Sequence, residues 1–383
     1  MKSRKIKDKE FLRNIIIGIV SLLVVAFIIN ISPGYKRDKY TDIINLVINE
    51  EDRSEELKHN IYINDNGTIY ISEEDVRNLF DSTIYYDSKY NQIITTSDTK
   101  VANIAINEKV MTVNNSNVSI LDSIITINNN IYLPISDMEI VYNIKIQYIK
   151  DTNKVIIDDL NKGMIKAIAT EDTDIKFKPR GLSKKVGTLK QGESVSCFYT
   201  TSKGWRQIRT NDGVIGYIKA NKLSNEYIIR QDMLPRTEAT NISMNNYTNK
   251  RFNIAGENIV IKELFTINKN NIDISNELNL NSGEGKVWTT ISNKSLDDYE
   301  NQMLKGIITD YKLRTTFIDM IVKKSIENDI KGIVIDIKDM QDMKRFVIEC
   351  APKLREVGIS TCVVINTNMD KQDYINIADY IVE

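Results

Sequence analysis

The sequence predicts a multidomain chain: an N-terminal apolar helix, an α+β repeat module, a small β-barrel and an incomplete β/α barrel. Three observations predict it. Ile15 to Ile31 is an almost unbroken apolar run behind a basic flank. The stretch from Ile69 to Thr95 recurs without gaps at an offset of 62 residues. From Phe252 onward, β-branched runs alternate with segments of helical apolar spacing, the pattern of parallel-sheet units.

Composition narrows the function. The chain has 383 residues, and its 51 basic and 52 acidic residues nearly cancel, which argues against a nucleic-acid binder working through bulk positive charge. The single histidine, His59, excludes a mid-chain Ser-His-Asp triad and any zinc site built on several histidines. Cys197, Cys350 and Cys362 are too few and too scattered for a disulfide framework. No phosphate loop, metal cluster or nucleophile motif appears, so neither a metal nor a cofactor is expected.

The apolar run of 15–31 would span about 26 Å as a helix, slightly short of the roughly 30 Å hydrocarbon core. Six basic residues (Lys2, Arg4, Lys5, Lys7, Lys9, Arg13) face two acidic ones in the flank before it. That positive flank predicts a cytoplasmic N-terminus, with everything after Ile31 on the extracytoplasmic, cell-wall side. An uncleaved signal anchor is the favoured reading, because Ser32, Pro33 and Gly34 make a poor cleavage site. A cleaved signal peptide is the alternative, and a buried core helix the structural one.

In the repeat, Ile69, Tyr70, Asp75, Ile84, Tyr86, Asn91 and Ile94 return as Ile131, Tyr132, Asp137, Ile146, Tyr148, Asn153 and Ile156. Each copy reads as strand, short helix, strand, turn, strand. Ser72 and Ser136 are placed as helix N-caps, and Asn91 and Asn153 as hairpin turn residues. The segment Ile44 to Asn49 reads as an added strand. These residues resemble the copper amine oxidase N-terminal-like domain of Gram-positive surface proteins. Despite the name, the resemblance implies no copper. It allows partner binding through tyrosines such as Tyr85 and Tyr90, or a rigid spacer whose tyrosines are core or ordinary surface.

From Met164 to Ser224 short strands alternate with glycine turns. Gly187, Thr188, Leu189 and Gly192 form one hairpin signature, and Gly204, Trp205 and Ile208 a strand. Asp212, Gly213, Gly216, Tyr217 and Ile218 form a second hairpin. This resembles a bacterial SH3-like domain, and the resemblance implies peptidoglycan binding. Trp205 is expected chiefly to fill the barrel core. A ligand groove is expected at Tyr199, Arg206 and Tyr217.

In the last third, strands are expected at Phe252–Ala255, Val260–Ile267, Lys286–Ser292, Gly332–Ile337 and Ser360–Ile365. Helices are expected from about Asp298 to Lys305, over Arg314–Asp329 and over Met340–Val357. The order VWTTISN, GIVIDIKDM and STCVVIN resembles the start of a family-18 glycoside hydrolase of the chitinase-like, spore and cell-wall branch. Its signature strand implies an acid Glu that protonates the glycosidic oxygen and an Asp two residues earlier that assists the substrate acetamido group. In this chain the first signature Asp falls on Lys331, the Gly on Gly332, the Asn on Val334, the second Asp on Asp336 and the acid on Lys338. Asp336 is therefore the candidate catalytic residue in vestigial form, with Lys338 expected to form an ion pair with it. The chain stops at Ala378–Glu383, where the resemblance implies that two or three β/α units are still to come, leaving a half barrel.

The expected organisation is a cytoplasmic tail at 1–14, a signal anchor at 15–31 and the repeat domain at 42–160. The SH3-like domain follows at 163–225, a linker at 226–250 and the degenerate hydrolase-like domain at 251–383. The function expected is a membrane-anchored binder or scaffold for peptidoglycan or another amino-sugar glycan, without turnover and without nucleic acid. An active glycosidase of chitinase or N-acetylglucosaminidase type, or a truncated remnant of one, is the alternative.

Overall fold

The structure, a computed structural model, describes residues 15–24, 43–200, 203–229, 238–244, 247, 250–263, 265–268, 271–274, 285–340, 342–366 and 368–383. The chain is β-rich and divides into two compact units, Met1–Ile61 with Asn143–Met233 and Tyr62–Tyr142 with Leu234–Glu383. The expected anchor is helical over 15–24, with every one of those residues exposed, and its remainder lies outside the described residues. Among the described residues no helix is long and apolar enough to cross a membrane.

In the first unit, the second repeat copy contributes its hairpin, Ile144–Ile149 against Lys154–Asp159. Asn153 turns it at φ 49°, and its side-chain oxygen accepts from the Tyr148 hydroxyl at 3.0 Å. The added strand forms as Asn45–Ile48 and runs parallel to Lys154–Asp159. A second sheet of seven strands wraps into a nearly closed barrel, in the order Lys185–Leu189, Thr173–Lys176, Ile215–Lys219, Trp205–Thr210, Ser194–Thr200, Met164–Ala169, Leu223–Ile229. Ala167, Ile175, Leu189, Val195, Cys197, Ile208 and Ile218 fill it. Gly213 takes φ 77° and is itself buried: an added Cβ would stand 3.2 Å from Ile156, and Lys154 Nζ donates to the Gly213 carbonyl at 2.9 Å.

Trp205 departs from expectation. It is 7% exposed, but it lies three residues from Ile208 in an unbroken ladder, so it faces away from the filled interior. Its partner across the strands is Lys219, whose ammonium sits 4.6 Å from the ring centroid. A barrel this narrow is closed by branched aliphatic side chains, and the indole packs outside it.

In the second unit, the first repeat copy runs Ile69–Ser72, helix Glu73–Leu79, Tyr85–Asp87 and Gln92–Thr96. Ser72 caps the helix by accepting from the Asp75 amide at 3.1 Å. Ser136 is no cap: its Oγ accepts from the Ile69 amide at 3.2 Å, tying the two copies together. A five-stranded antiparallel sheet, from Tyr85–Asp87 to Ser116–Ser119, continues the first hairpin.

The rest of this unit is an α/β sheet built from β1 (Thr240–Ile242), β2 (Arg251–Ile254), β3 (Glu257–Lys262), β4 (Lys286–Ser292), α1 (Asp298–Thr309), α2 (Tyr311–Glu327), β5 (Gly332–Asp336), α3 (Met343–Glu356), β6 (Ser360–Val364) and β7 (Tyr380–Val382). Sheet order is β1-β7-β6-β5-β4-β3-β2, parallel except for the β2–β3 hairpin. Asp297 starts α1 with a capping box to Glu300, and Asp310 caps α2 through the Leu313 amide. The strand expected at Val260–Ile267 ends as β3 at Lys262, and Phe265–Asn268 forms a separate hairpin with Asn271–Ile274.

Two features of this sheet lie beyond the expected elements. β1 arises inside the expected linker of 226–250 and covers the edge of β7, pairing Thr240 with Tyr380 and Ile242 with Val382. Alternation along the strands then makes two cores. Ile333, Ile335 and Ile337 face the helices with Phe317 and Phe346. Val334, Trp288, Cys362 and Val382 face the other side, where Met244 and Tyr247 cover them. Gly332 makes room there for Trp288, since an added Cβ would lie 2.3 Å from the indole.

Candidate functional site

The candidate site lies at the carboxyl end of β5, the end at which open parallel sheets present groups to ligands. β5 is apolar on both faces because helices cover one side and Trp288 with its neighbours the other. Its last residue, Asp336, shares a face with Gly332 and Val334, so its carboxylate enters the second core and is 1% exposed.

Two side chains compensate that burial. Tyr247 donates its hydroxyl to Asp336 Oδ2, and Lys294 places its ammonium on the same oxygen. Lys294 Nζ also stands 3.3 Å from the Tyr247 hydroxyl and 5.2 Å from its ring centroid. Burial, reinforced by the hydrogen bond and charge of Asp336, pushes the Tyr247 phenol far above its ordinary pKa. It is held as a neutral donor. The Cys362 thiol nearby is pushed up by burial as well.

The expected partner of Asp336 is therefore corrected. Lys338 is exposed, and its backbone is clamped by Asn293, with the Lys338 amide donating to Oδ1 at 2.9 Å and Asn293 Nδ2 donating to the Lys338 carbonyl at 3.0 Å. The ammonium that meets Asp336 comes instead from Lys294, in the loop after β4. β5 ends at Asp336, and the chain turns at Asp339, φ 56°, one residue beyond Lys338. The Lys338 side chain is exposed, whereas the Asp336 carboxylate is buried. Asp336, bonded to Tyr247 and Lys294 through one oxygen, is placed to anchor or orient, and Lys338 in the expected acid position carries no carboxyl group to protonate a leaving oxygen.

Tyr247 and Lys294 are absent from the sequence reading. Lys294 offered one usable signal, its place directly after a strand end in the hydrolase-like order. Tyr247 offered none, since it sits in a polar stretch without periodicity.

In the barrel, Arg206 pairs with Ile218 and Tyr217 with Gln207, so the two point to opposite faces and line no common groove. Arg206 is half-buried beside Cys197 on the inner side, with Glu226 3.6 Å away. Burial pushes the Cys197 thiol up, and Arg206 works against that shift. Tyr199 lies on the strand Ser194–Thr200, with its side chain outside the described residues.

Tyr85 and Tyr90 are engaged within their own unit. Arg314 Nη2 donates to the Tyr85 hydroxyl at 2.8 Å, and the Arg345 guanidinium stacks 3.7 Å above the Tyr85 ring. Tyr90 donates to Asp310 at 2.9 Å and packs edge-on against Tyr311. They fasten the five-stranded sheet to α2 and α3, the structural reading of the two.

Residues 48–157 match the copper amine oxidase N-terminal domain family. Among the described residues no group of three or more His, Cys, Asp or Glu side chains is placed to hold a metal ion, so the residues present do not fit a copper centre. No protein with a curated description matches the chain. Among solved structures, a protein described as a sporulation-specific glycosylase of Bacillus subtilis aligns at 14% identity and TM-score 0.29, over 33% of this chain and 50% of that one. The C-terminal domain of a protein described as a chitinase of Desulfitobacterium hafniense aligns at 16% identity and TM-score 0.26, over 32% and 44%. The spore cortex-lytic enzyme SleL of Bacillus cereus aligns at 11% identity and TM-score 0.29, over 41% and 43%. The chain spans about half the length of these structures.

Proposed function

We propose that the chain is a membrane-anchored, extracytoplasmic cell-wall-binding protein with a degenerate β/α module, a binder or scaffold for peptidoglycan or another amino-sugar glycan without turnover. One observation carries the absence of turnover. The sole signature carboxylate, Asp336, is tied to Tyr247 and Lys294, while the acid position holds an exposed lysine. Substrate-assisted glycoside cleavage needs a proton on the leaving oxygen, typically worth about a hundredfold to ten-thousandfold. Among the described residues, the position that the resemblance gives to the acid holds Lys338. The SH3-like hairpin signatures support wall binding. The basic flank and the fully exposed apolar helix at 15–24 support an anchor with the N-terminus in the cytoplasm.

The test uses the full chain in detergent with purified peptidoglycan. It is expected to sediment with the polymer and to produce no clearing in a zymogram and no reducing sugar. A chain that stays in the supernatant would overturn the binding role. Reducing sugar that disappears with Asp336→Ala would overturn the absence of turnover.

A further inference from the structure

Tyr247 shares Asp336 Oδ2 with Lys294, and it is held from several directions. Its ring is 8% exposed among Met244, Trp288, Val334 and Cys362. Its carbonyl accepts from the Lys250 amide at 3.2 Å, and the Lys250 carbonyl in turn accepts from the Ile261 amide of β3 at 3.1 Å. Its hydroxyl points to Asp336 Oδ2. The carboxyl ends of parallel strands are where open α/β sheets bind ligands. Here the donor belongs to the protein. Lys294, with its side chain 52% exposed, lies on the solvent side of the same oxygen. Three residues on, Asp339 is exposed, with Oδ1 accepting from Asn368 Nδ2 at 3.0 Å.

We infer that Tyr247 is an internal cap which occupies the ligand position on Asp336 and closes the second face of the β/α sheet to any bound glycan. The phenol supplies the hydrogen bond that a sugar hydroxyl or acetamido N–H would supply. Its ring fills the space over Val334 and Cys362 that a pyranose would need. The inference deepens the reading of a module without turnover, because it assigns the exclusion of substrate to one side chain. It also implies that glycan held by this chain is held away from β5.

Carboxylate labelling tests the cap directly. The full chain is treated with a water-soluble carbodiimide and glycinamide, and labelling is mapped by peptide mass spectrometry. A buried group reacts only through local opening, so Asp336 should label to about a tenth of Asp339 or less, and Tyr247→Ala should raise it roughly tenfold. Lys294→Met, which removes the ammonium but keeps the ring, should leave Asp336 protected. Native labelling of Asp336 within about twofold of Asp339 would overturn the cap, as would full release by Lys294→Met. Both of those arms decide the question even if Tyr247→Ala fails to fold. A chain that does not sediment with peptidoglycan would sink the wall-binding role and leave this result standing.

Discussion

Arg314 and Glu349 form the most deeply buried ion pair described, with side chains 3% and 1% exposed. Arg314 Nε and Nη2 each reach a carboxylate oxygen at 2.9 Å, and Nη1 donates to the Ile308 carbonyl at 2.7 Å. Such a fork satisfies both charges where water cannot. Removing one partner leaves the other charge buried and unpaired. Glu349→Ala should therefore cost about 3–5 kcal/mol, read from the urea midpoint, while Arg314→Met with Glu349→Leu should recover most of the loss. A cost below about 1 kcal/mol for Glu349→Ala would show that Arg314 finds water or another anion. Asp310 illustrates a milder balance. Burial works to raise its carboxyl, but Lys89, the Leu313 amide and Tyr90 prevail and hold it at about 2.

At the scale of elements, the repeat preserves a hairpin lock. Asn91 and Asn153 take φ 50° and 49°, and each accepts from a tyrosine five residues earlier, Tyr86 at 2.7 Å and Tyr148 at 3.0 Å. The recurring Tyr and Asn are thus two ends of one hydrogen bond across the turn. A left-handed backbone costs a β-branched residue roughly 1–2 kcal/mol, so Asn91→Val should lower stability by at least that much. Asn91→Gly loses the hydrogen bond but suits the backbone, and should cost less than about 1 kcal/mol. Equal losses for the two variants in chemical denaturation would place the constraint in the side chain rather than the backbone.

At the scale of the molecule, the unit Tyr62–Tyr142 with Leu234–Glu383 stores alkaline lability in its tyrosines. Burial first, and neighbouring carboxylates second, push the phenols of Tyr70, Tyr311 and Tyr374 from 10.0 to about 12. The unfolded chain loses these protons near its ordinary value, and the folded chain loses them later. Their contribution is complete below about pH 10 and is lost as pH rises through about 12. The melting temperature followed by circular dichroism should be level from about pH 8 to 9.5 and fall steeply above about 10. A level profile to pH 12 would mean that these phenols ionise without unfolding.

Local features were legible in the residues themselves. The Asn turns, the Ser72 cap, the strand Lys286–Ser292 and the apolar strand ending in Asp336 follow from side-chain period and turn chemistry, which neighbouring residues carry. The sequence also placed a lone signature carboxylate at a strand end. What meets that carboxylate depends on long-range packing. Tyr247 lies 89 residues from Asp336 and comes from a polar stretch that reads as linker, as does β1, which is three residues long and stabilised by β7 rather than by its own pattern. Lys294, from the loop after β4, is the lysine that reaches Asp336, while Lys338 stays exposed with its backbone clamped by Asn293. Trp205 lies outside its barrel, and Arg206 and Tyr217 fall on opposite faces, because register fixes facing and register depends on a partner strand. Periodicity states that a residue has a buried side; the fold supplies what fills it.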